Sequence, residues 1–452
     1  MFISFQDFEK SNDKKSFIRE FLNWYRQGDG YRIAVDADKY DRQQNSTIMN
    51  YVRFYYSILG QKVPDKYASN NKIASNFFHR LNTQRCTYSL GNGLIFSEES
   101  TKEKLGKDFD TRIYDAVYKA LIHGVSFVFW NLDHIHVFPA TEFAPLWDEE
   151  TGALRAGVRY WQLDPEKPEF CVLYEEDGYT KYKAERTGSP FVQIEEKRAY
   201  RQEIRVAPAD EEPEVIAQSN YNRLPIIPVY GTKQKQSTLI GMKNAIDSFD
   251  LIRSGFANDL EECAQIYWII SNADAMTPAD LAEYRARLKF NHIAQADEGD
   301  IHPFTQEIPY NARSEYLKEI RSGIYEDYGG LDVHAVAAGA TNDHIDAAYQ
   351  PMDENADDLE YCVIDAVQSI LALIDIADTP VFKRNRISNQ REQVDMIVAV
   401  SEYLDEKTVL QKLPFITPDE VDAILAAKDI EDFTKFTSNN EPLSNTKEDG
   451  NE

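Results

Sequence analysis

The chain has 452 residues, more than one ordinary domain, and 42% of them are hydrophobic, with 24 Phe and 26 Tyr. Two or more folded units with substantial cores are therefore expected, and global disorder is not. The net charge of −27 argues against a chain that grips DNA phosphates in grooves of its own, because such a chain would be basic. Either the protein avoids nucleic acid or it touches DNA without holding it.

Cys86, Cys171, Cys263 and Cys362 lie far apart with no CxxC pair. That spacing suits reduced, mostly buried thiols better than a disulfide or metal framework. The opening stretch, MFISFQDFEKSNDKKSF, becomes charged too early for a signal peptide. No window approaches 18 apolar residues, so no membrane span is expected. Synthesis and use in a reducing cytoplasm follow as the expectation.

In chain order, residues 1–30 read as a helix ending at Gly28-Asp29-Gly30, with Phe17, Phe21, Trp24 and Tyr25 on one face. Helical stretches follow over Ile73–Leu81 and Asp110–His123, the first leading into the turn Gly91-Asn92-Gly93. Over 124–230 the period changes to two. The runs VSFVFW, HIHVF, GVRYWQL, EFCVLYE and TKYKAE, separated by turns such as Glu176-Asp177-Gly178, predict an antiparallel region of hairpins. Residues 207–220 read as an exposed acidic loop.

At Thr238 the helical period returns. Leu239, Met242, Ile246, Phe249, Ile252, Phe256, Leu260 and Cys263 form one face, and Lys243, Asp247, Asp250, Ser254, Asn258 and Glu261 the other. This is a two-sided helix of roughly 37 Å. A second runs over about 312–328, with Leu317, Ile320, Ile324 and Tyr328 on one face. Between them lies an insert. AQIYWIIS reads as a strand, Thr277-Pro278-Ala279-Asp280 opens a short helix to about Phe290, and HIAQA, Asp297-Glu298-Gly299-Asp300 and IHPFTQ form a hairpin. Residues 329–349, rich in Gly and Ala, read as a flexible loop. Further helices are expected over 354–376, over 393–404 and from Thr417. The polar end, TSNNEPLSNTKEDGNE, reads as disordered.

Motifs for chemistry are sparse. There is no phosphate loop, GxSxG elbow, HExxH or dinucleotide fingerprint. Asp36-Ala37-Asp38-Lys39-Tyr40-Asp41 begins like a calcium loop but has Asp41 where the glycine belongs, and reads as a solvated turn. His134 and His136 alternate on a strand without a third ligand in the pattern, which favours a structural role. Adjacent acids such as Glu175-Glu176 point to opposite faces of a strand and do not make a glycosidase pair. No catalytic residue, metal or cofactor is expected.

Several stretches, in this order, resemble the portal proteins of tailed bacteriophages of the siphophage type. Residues from Asn71-Lys72-Ile73 to Tyr88-Ser89-Leu90-Gly91-Asn92-Gly93 resemble that family's helix and following turn. Pro139 to Trp161, with Asp148-Glu149 and Gly152, resembles its hairpin. Asn222-Arg223-Leu224-Pro225-Ile226-Ile227-Pro228-Val229, then Gly241, Ile246, Ser254, Asn258, Asp259, Leu260 and Glu261, resembles its central signature. Thr408-Val409-Leu410-Gln411-Lys412-Leu413-Pro414-Phe415-Ile416 resembles a crown segment.

The resemblance implies an α+β, multidomain portal fold assembling into a ring with a central channel. Residues 1–237 would be the wing, 238–263 the first stem helix, 264–310 the clip and 311–328 the second stem helix. Residues 329–378 would hold the tunnel loop and long wing helix, 379–434 the helical crown, and 435–452 a disordered tail. It implies a virion protein at one capsid vertex, made in the host bacterial cytoplasm. Its partners would be eleven further copies, double-stranded DNA in transit, the terminase large subunit, a head–tail adaptor, and the major capsid and scaffold proteins.

The tunnel-loop residues would be Asp332, His334, Asn342, Asp343, His344 and Asp346. The channel-facing stem residues would be Lys243, Asp247, Asp250, Ser254, Asn258 and Glu261. Tyr284, Arg287, Asp297, Glu298 and Asp300 would dock the motor or adaptor. From Ser322 to Phe382 the chain carries 13 Asp and Glu and no Lys or Arg, which suits a conduit that repels phosphate. The competing readings are another oligomeric phage structural protein, such as an adaptor or scaffold, and a carbohydrate-active enzyme.

Overall fold

The computed structural model describes residues 3–56, 60–65, 68–205, 214–263, 267–270, 277, 301–304, 310–333, 342–386, 397–399, 401, 405–412, 421 and 424–426. Helix and strand are mixed, as the α+β reading expects. The chain divides into two units, one of residues 1–330 and 351–385, the other of 331–350 and 386–452.

The first unit opens with three helices: α1 (Phe5–Lys10), α2 (Lys14–Gln27) and α3 (Asp29–Asp41). Gly28 is at once the C-cap of α2 and the N-cap of α3, so the chain turns there without a linker. The sequence reading ended its helix at this glycine. It also took Asp36–Asp41 for a turn, whereas these residues are the last turns of α3. Ala34, Ala37 and Tyr40 recur at spacings of three and are buried, which is a helical face. A short α4 (Ser46–Met49) and a two-stranded hairpin, β1 (Phe54–Tyr56) with β2 (Lys62–Pro64), follow.

Next come α5 (Phe77–Leu90), β3 (Leu94–Ile95), α6 (Glu99–Leu105) and α7 (Phe109–His123). The described residues of the region expected to be hairpins are strands joined by turns and short loops. β4 (Val125–Asn131), β5 (His134–Pro139) and β13 (Ile226–Tyr230) make an antiparallel sheet in the order β13-β4-β5, in register at Phe129↔Ile226 and Phe129↔His136. Residues Ser126–Trp130 of β4 are all buried, as befits a central strand covered on both faces. β6 (Phe143–Trp147), β7 (Leu154–Trp161), β8 (Glu169–Glu175), β9 (Gly178–Ala184) and β10 (Val192–Gln193) form a five-stranded meander. β11 (Arg201–Arg205) pairs with β12 (Glu214–Ser219), so the stretch read as an acidic loop is a strand over 214–219.

The period of two divides the meander's side chains between two cores. Ala144, Leu146, Ala156, Val158, Cys171 and Leu173 pack with Phe8, Ile18, Phe21 and Leu22 of α1 and α2. Val172 and Tyr174 point the other way, into a core shared with α7, β4 and a later helix that includes Leu359, Val363 and Ile370.

The long helices begin where β13 returns past α7. Gly124 ends α7 at φ 89°, and a Cβ there would lie 2.8 Å from the Ser237 backbone nitrogen. Thr238 N–H donates to Leu121 O at 3.0 Å, and the Ser237 hydroxyl accepts from Leu239 N–H at 3.2 Å. The start of helix α8 (Leu239–Cys263) is thereby pinned to the end of α7. β14 (Tyr267–Ile270) pairs antiparallel with β15 (Ile301–Phe304); both stretches are expected as strands, but the hairpin expected between HIAQA and IHPFTQ lies partly outside the described residues. Helix α9 (Tyr310–Tyr328) then runs back against α8, where Phe256 and Tyr310 meet at 5.7 Å between ring centroids and Arg313 pairs with Asp259.

Helix α10 (Asn342–Leu371) starts twelve residues before the 354 that the sequence reading gave it. Residues 342–349, expected in a loop, are its first turns. Ile345, Tyr349, Met352, Ala356, Leu359, Val363 and Ile370 hold the helical spacing across Pro351, which lies inside the helix. β16 (Val381–Phe382) pairs with β3, and α11 (Glu406–Lys412) lies in the second unit. Helical residues 397–399 fall inside the expected 393–404 helix; the helix from Thr417 lies mostly outside the described residues.

Candidate functional site

Helix α8 is where the sequence reading placed a channel face, and the structure assigns its polar stripe differently. Asp250, Ser254 and Asn258 are buried, at 0%, 2% and 4% exposure. Their acceptors take three backbone donors of one extended segment: Ser75 N–H to Asp250 at 2.8 Å, Ile73 N–H to Ser254 at 3.0 Å and Asn71 N–H to Asn258 at 2.6 Å. The geometry explains the match. Four residues of helix rise about 6.0 Å and two residues of extended chain about 6.6 Å, so alternate amides meet every fourth helical side chain. The segment runs antiparallel to α8, and the amides gain partners that no strand provides.

The stripe continues at both ends. Lys243 donates to Asp247 at 3.0 Å and to the Tyr40 hydroxyl at 2.6 Å, and lies 3.6 Å from Asp36. Thr47 donates to Asp247 at 2.7 Å, and Tyr40 also donates to that carboxylate. Glu261, which is exposed, accepts from the Asn71 side chain at 2.8 Å. Asp250, Ser254 and Asn258 are therefore not channel residues, and Lys243 and Asp247 are occupied by α3 and α4. The sequence does carry the signal. The buried stretch is Asp-x3-Ser-x3-Asn, short acceptors at every fourth position without a long charged side chain, which marks a stripe that takes donors from another segment.

Two buried carboxylates show what partners do. Burial pushes Asp250 above its ordinary value, and the hydrogen bonds from Asn45 and Ser75 only partly offset this. Burial would also raise Glu169, but Arg19 at 2.6 Å and Arg26 at 2.8 Å outweigh it and hold the carboxyl below its ordinary range.

Of the expected tunnel residues, His334 lies outside the described residues. Asn342 and Asp343 are the first residues of α10, while His344 and Asp346 are exposed on it. Asp346 accepts from Arg386 at 3.1 Å, and Asp332 is half-buried just after α9. Several acids of the run are paired within the chain. Arg384 bonds Asp353 and Glu360 at 3.0 and 2.9 Å and also Asp357, and Arg85 bonds Asp358 at 3.3 Å. These acids serve to hold α10, which corrects the reading of the run as bare phosphate-repelling surface. The expected docking residues Tyr284, Arg287, Asp297, Glu298 and Asp300 all lie outside the described residues.

The remaining candidates carry no chemistry on this geometry. His134 and His136 bring their Nε2 atoms to 3.1 Å, and Asp133 meets His134 Nδ1 at 2.7 Å. Burial first, then His134, pulls His136 below its ordinary value. Among the described residues no group of three or more His, Cys, Asp or Glu could hold a metal ion, and no helix is long and apolar enough to cross a membrane. Cys86 and Cys171 are free and buried, and burial pushes both thiols up, away from reactivity.

An α+β fold with two long helices packed on each other, α8 and α9, is the architecture whose class remains to be named. Comparison with known sequences gives that class as phage portal proteins. The model of the family described as "phage portal protein, SPP1 Gp6-like" matches residues 32–432, and the chain belongs to this family. It is similar to the portal protein of Bacillus phage SPP1, 21% identical over 428 residues that cover 86% of this chain and 82% of the relative. It is also similar to the portal protein of Clostridium phage phiCD119, 22% identical over 467 residues that cover 90% of this chain and 98% of the relative.

Proposed function

We propose that this chain is the subunit of a closed ring of twelve at one vertex of a phage capsid, through which double-stranded DNA is packaged and later ejected. The observation that carries the reading is the family match over residues 32–432. The physical support is the pair α8 and α9, which pack on each other along one side and leave apolar residues such as Ile240, Leu260 and Tyr316 exposed in a single chain. Exposed apolar surface of this kind is what ring neighbours cover.

In this reading residues 1–237 form the wing, α8 and α9 the stem, 264–310 the clip, 329–378 the tunnel loop and long wing helix, and 379–434 the crown. The role is structural. Energy for packaging comes from a separate terminase motor, which docks on the clip through the surface that includes Tyr284, Arg287 and Asp297–Asp300. The head–tail adaptor, scaffold and major capsid protein are the other partners, and the working location is the virion after synthesis in the host cytoplasm. Asp332, His334, Asn342, Asp343, His344 and Asp346 remain the proposed contacts with DNA in transit. Negative-stain electron microscopy of the purified protein tests the reading: rings with a central hole are expected, and single compact particles at every concentration would overturn it.

A further inference from the structure

The hairpin β1–β2 puts aromatic side chains into water. Its sheet has these two strands only among the described residues, and all three residues of β1 are exposed, Tyr56 by 75%. Tyr51, Val52, Phe54 and Tyr55 are exposed with it. A two-stranded hairpin with aromatic side chains in water on both faces is marginal by itself. Its base is nevertheless anchored: Asp65 N–H donates to Arg53 O at 2.8 Å, and Arg53 to Ser69 O at 3.0 Å. From there the chain enters the 71–75 segment bound along α8.

Charge separates this stretch from its surroundings. Residues 50–75 contain Arg53, Lys62, Lys66 and Lys72 against Asp65 alone, in a chain of net charge −27. Lys62 and Lys72 are exposed, and Lys62 lies 4.3 Å over the Phe54 ring. On α9 the exposed charge is mostly acidic. Glu315, Tyr316, Glu319 and Glu326 are exposed, Lys318 among them pairs with Glu315 at 2.9 Å and leaves Glu319 and Glu326 in excess, and a side chain added at Gly323 would meet nothing within 4 Å.

The two patches lie on opposite flanks of α8. Ser254 holds the segment leading from the hairpin, and Phe256, about 200° further round the helix, meets Tyr310 of α9. A chain with a basic, aromatic patch on one flank and an acidic, tyrosine-bearing patch on the other has the two unlike halves of a head-to-tail contact, the kind that makes a ring when its rotation closes.

We propose that the β1–β2 hairpin of one copy docks on the acidic outer face of α9 in the next copy. This rests on the ring reading above and names the surface that closes it. The basic and aromatic composition would also suit a nucleic acid, but the three-residue strands and the matched acidic flank favour a second copy of this chain.

Charge exchange tests it. Lys62→Glu with Lys72→Glu, and separately Glu319→Lys with Glu326→Lys, should each lower the ring fraction at moderate ionic strength by about tenfold. All four substitutions in one chain should restore it, with native mass spectrometry as the readout. Tyr55→Ser with Tyr56→Ser should weaken rings without rescue by the α9 changes. Rings unaffected by Lys62→Glu with Lys72→Glu would overturn the inference, as would rings lost and not restored by the fourfold variant. Unaffected rings that no longer bind a labelled DNA duplex would assign the hairpin to DNA instead. Absence of rings in the unaltered protein would count against the ring reading itself.

Discussion

Two attachments in this molecule solve one problem by opposite means. Helix α2 is fastened to the meander by a buried carboxylate, Glu169, between two arginines, above an apolar core. Helix α8 is fastened to the 71–75 segment by a buried carboxylate, Asp250, whose donors are neutral, in line with Ser254 and Asn258. The first arrangement stabilises the charged form of its acid and the second disfavours it. Their responses to mutation and to pH should differ accordingly.

The largest effect belongs to the charged attachment. Glu169→Ala leaves Arg19 and Arg26 facing each other and should cost about 3 kcal/mol. That is the lower end for breaking a buried pair, since both arginines keep some contact with water. Urea unfolding of the purified protein measures it. Asp250→Ala leaves the Ser75 amide without an acceptor and the Asn45 side chain with the Ser75 carbonyl as its remaining one, and should cost about 2 kcal/mol. Ser254→Ala removes one neutral acceptor and should cost about 1 kcal/mol. Amide exchange should localise both losses to residues 71–75 and leave α2 protected; exchange spreading evenly over both regions would remove the distinction.

Acid offers a finer separation. The Glu169 contribution is fully present above its unfolded value near 4.5 and is lost as pH falls through the lower folded value. Asp250 has the reverse sign. Its folded form takes up a proton before the unfolded chain does, so its destabilising share at neutral pH disappears on acidification. Between about pH 6 and pH 3, protection corrected for intrinsic rates should fail first in α2 and later at Ile73 and Ser75. The reverse order would contradict the assignment of the two shifts.

The sequence made the apolar architecture legible and the polar architecture much less so. The alternation over 124–230 and the 3.6-residue period of α8 were plain because apolar burial imposes periodicity on the residues themselves. Asp250, Ser254 and Asn258 share that periodicity, but a polar stripe looks the same whether it faces water or another segment's amides. Only the absence of long charged side chains distinguished it. Pro351 and the Gly-rich stretch before it pulled the start of α10 inward, although Ile345 and Tyr349 continue the helical spacing. Arg384, far along the chain, neutralises acids of α10 that composition alone presents as a bare acidic run. The order of family-like stretches carried the functional reading, because each alone is short while their succession spans the chain.

Native mass spectrometry of the purified protein tests the central claim most directly. A ring of twelve copies of the 52.0 kDa chain predicts one dominant assembly near ~624 kDa. A 52.0 kDa monomer at all concentrations would contradict the account.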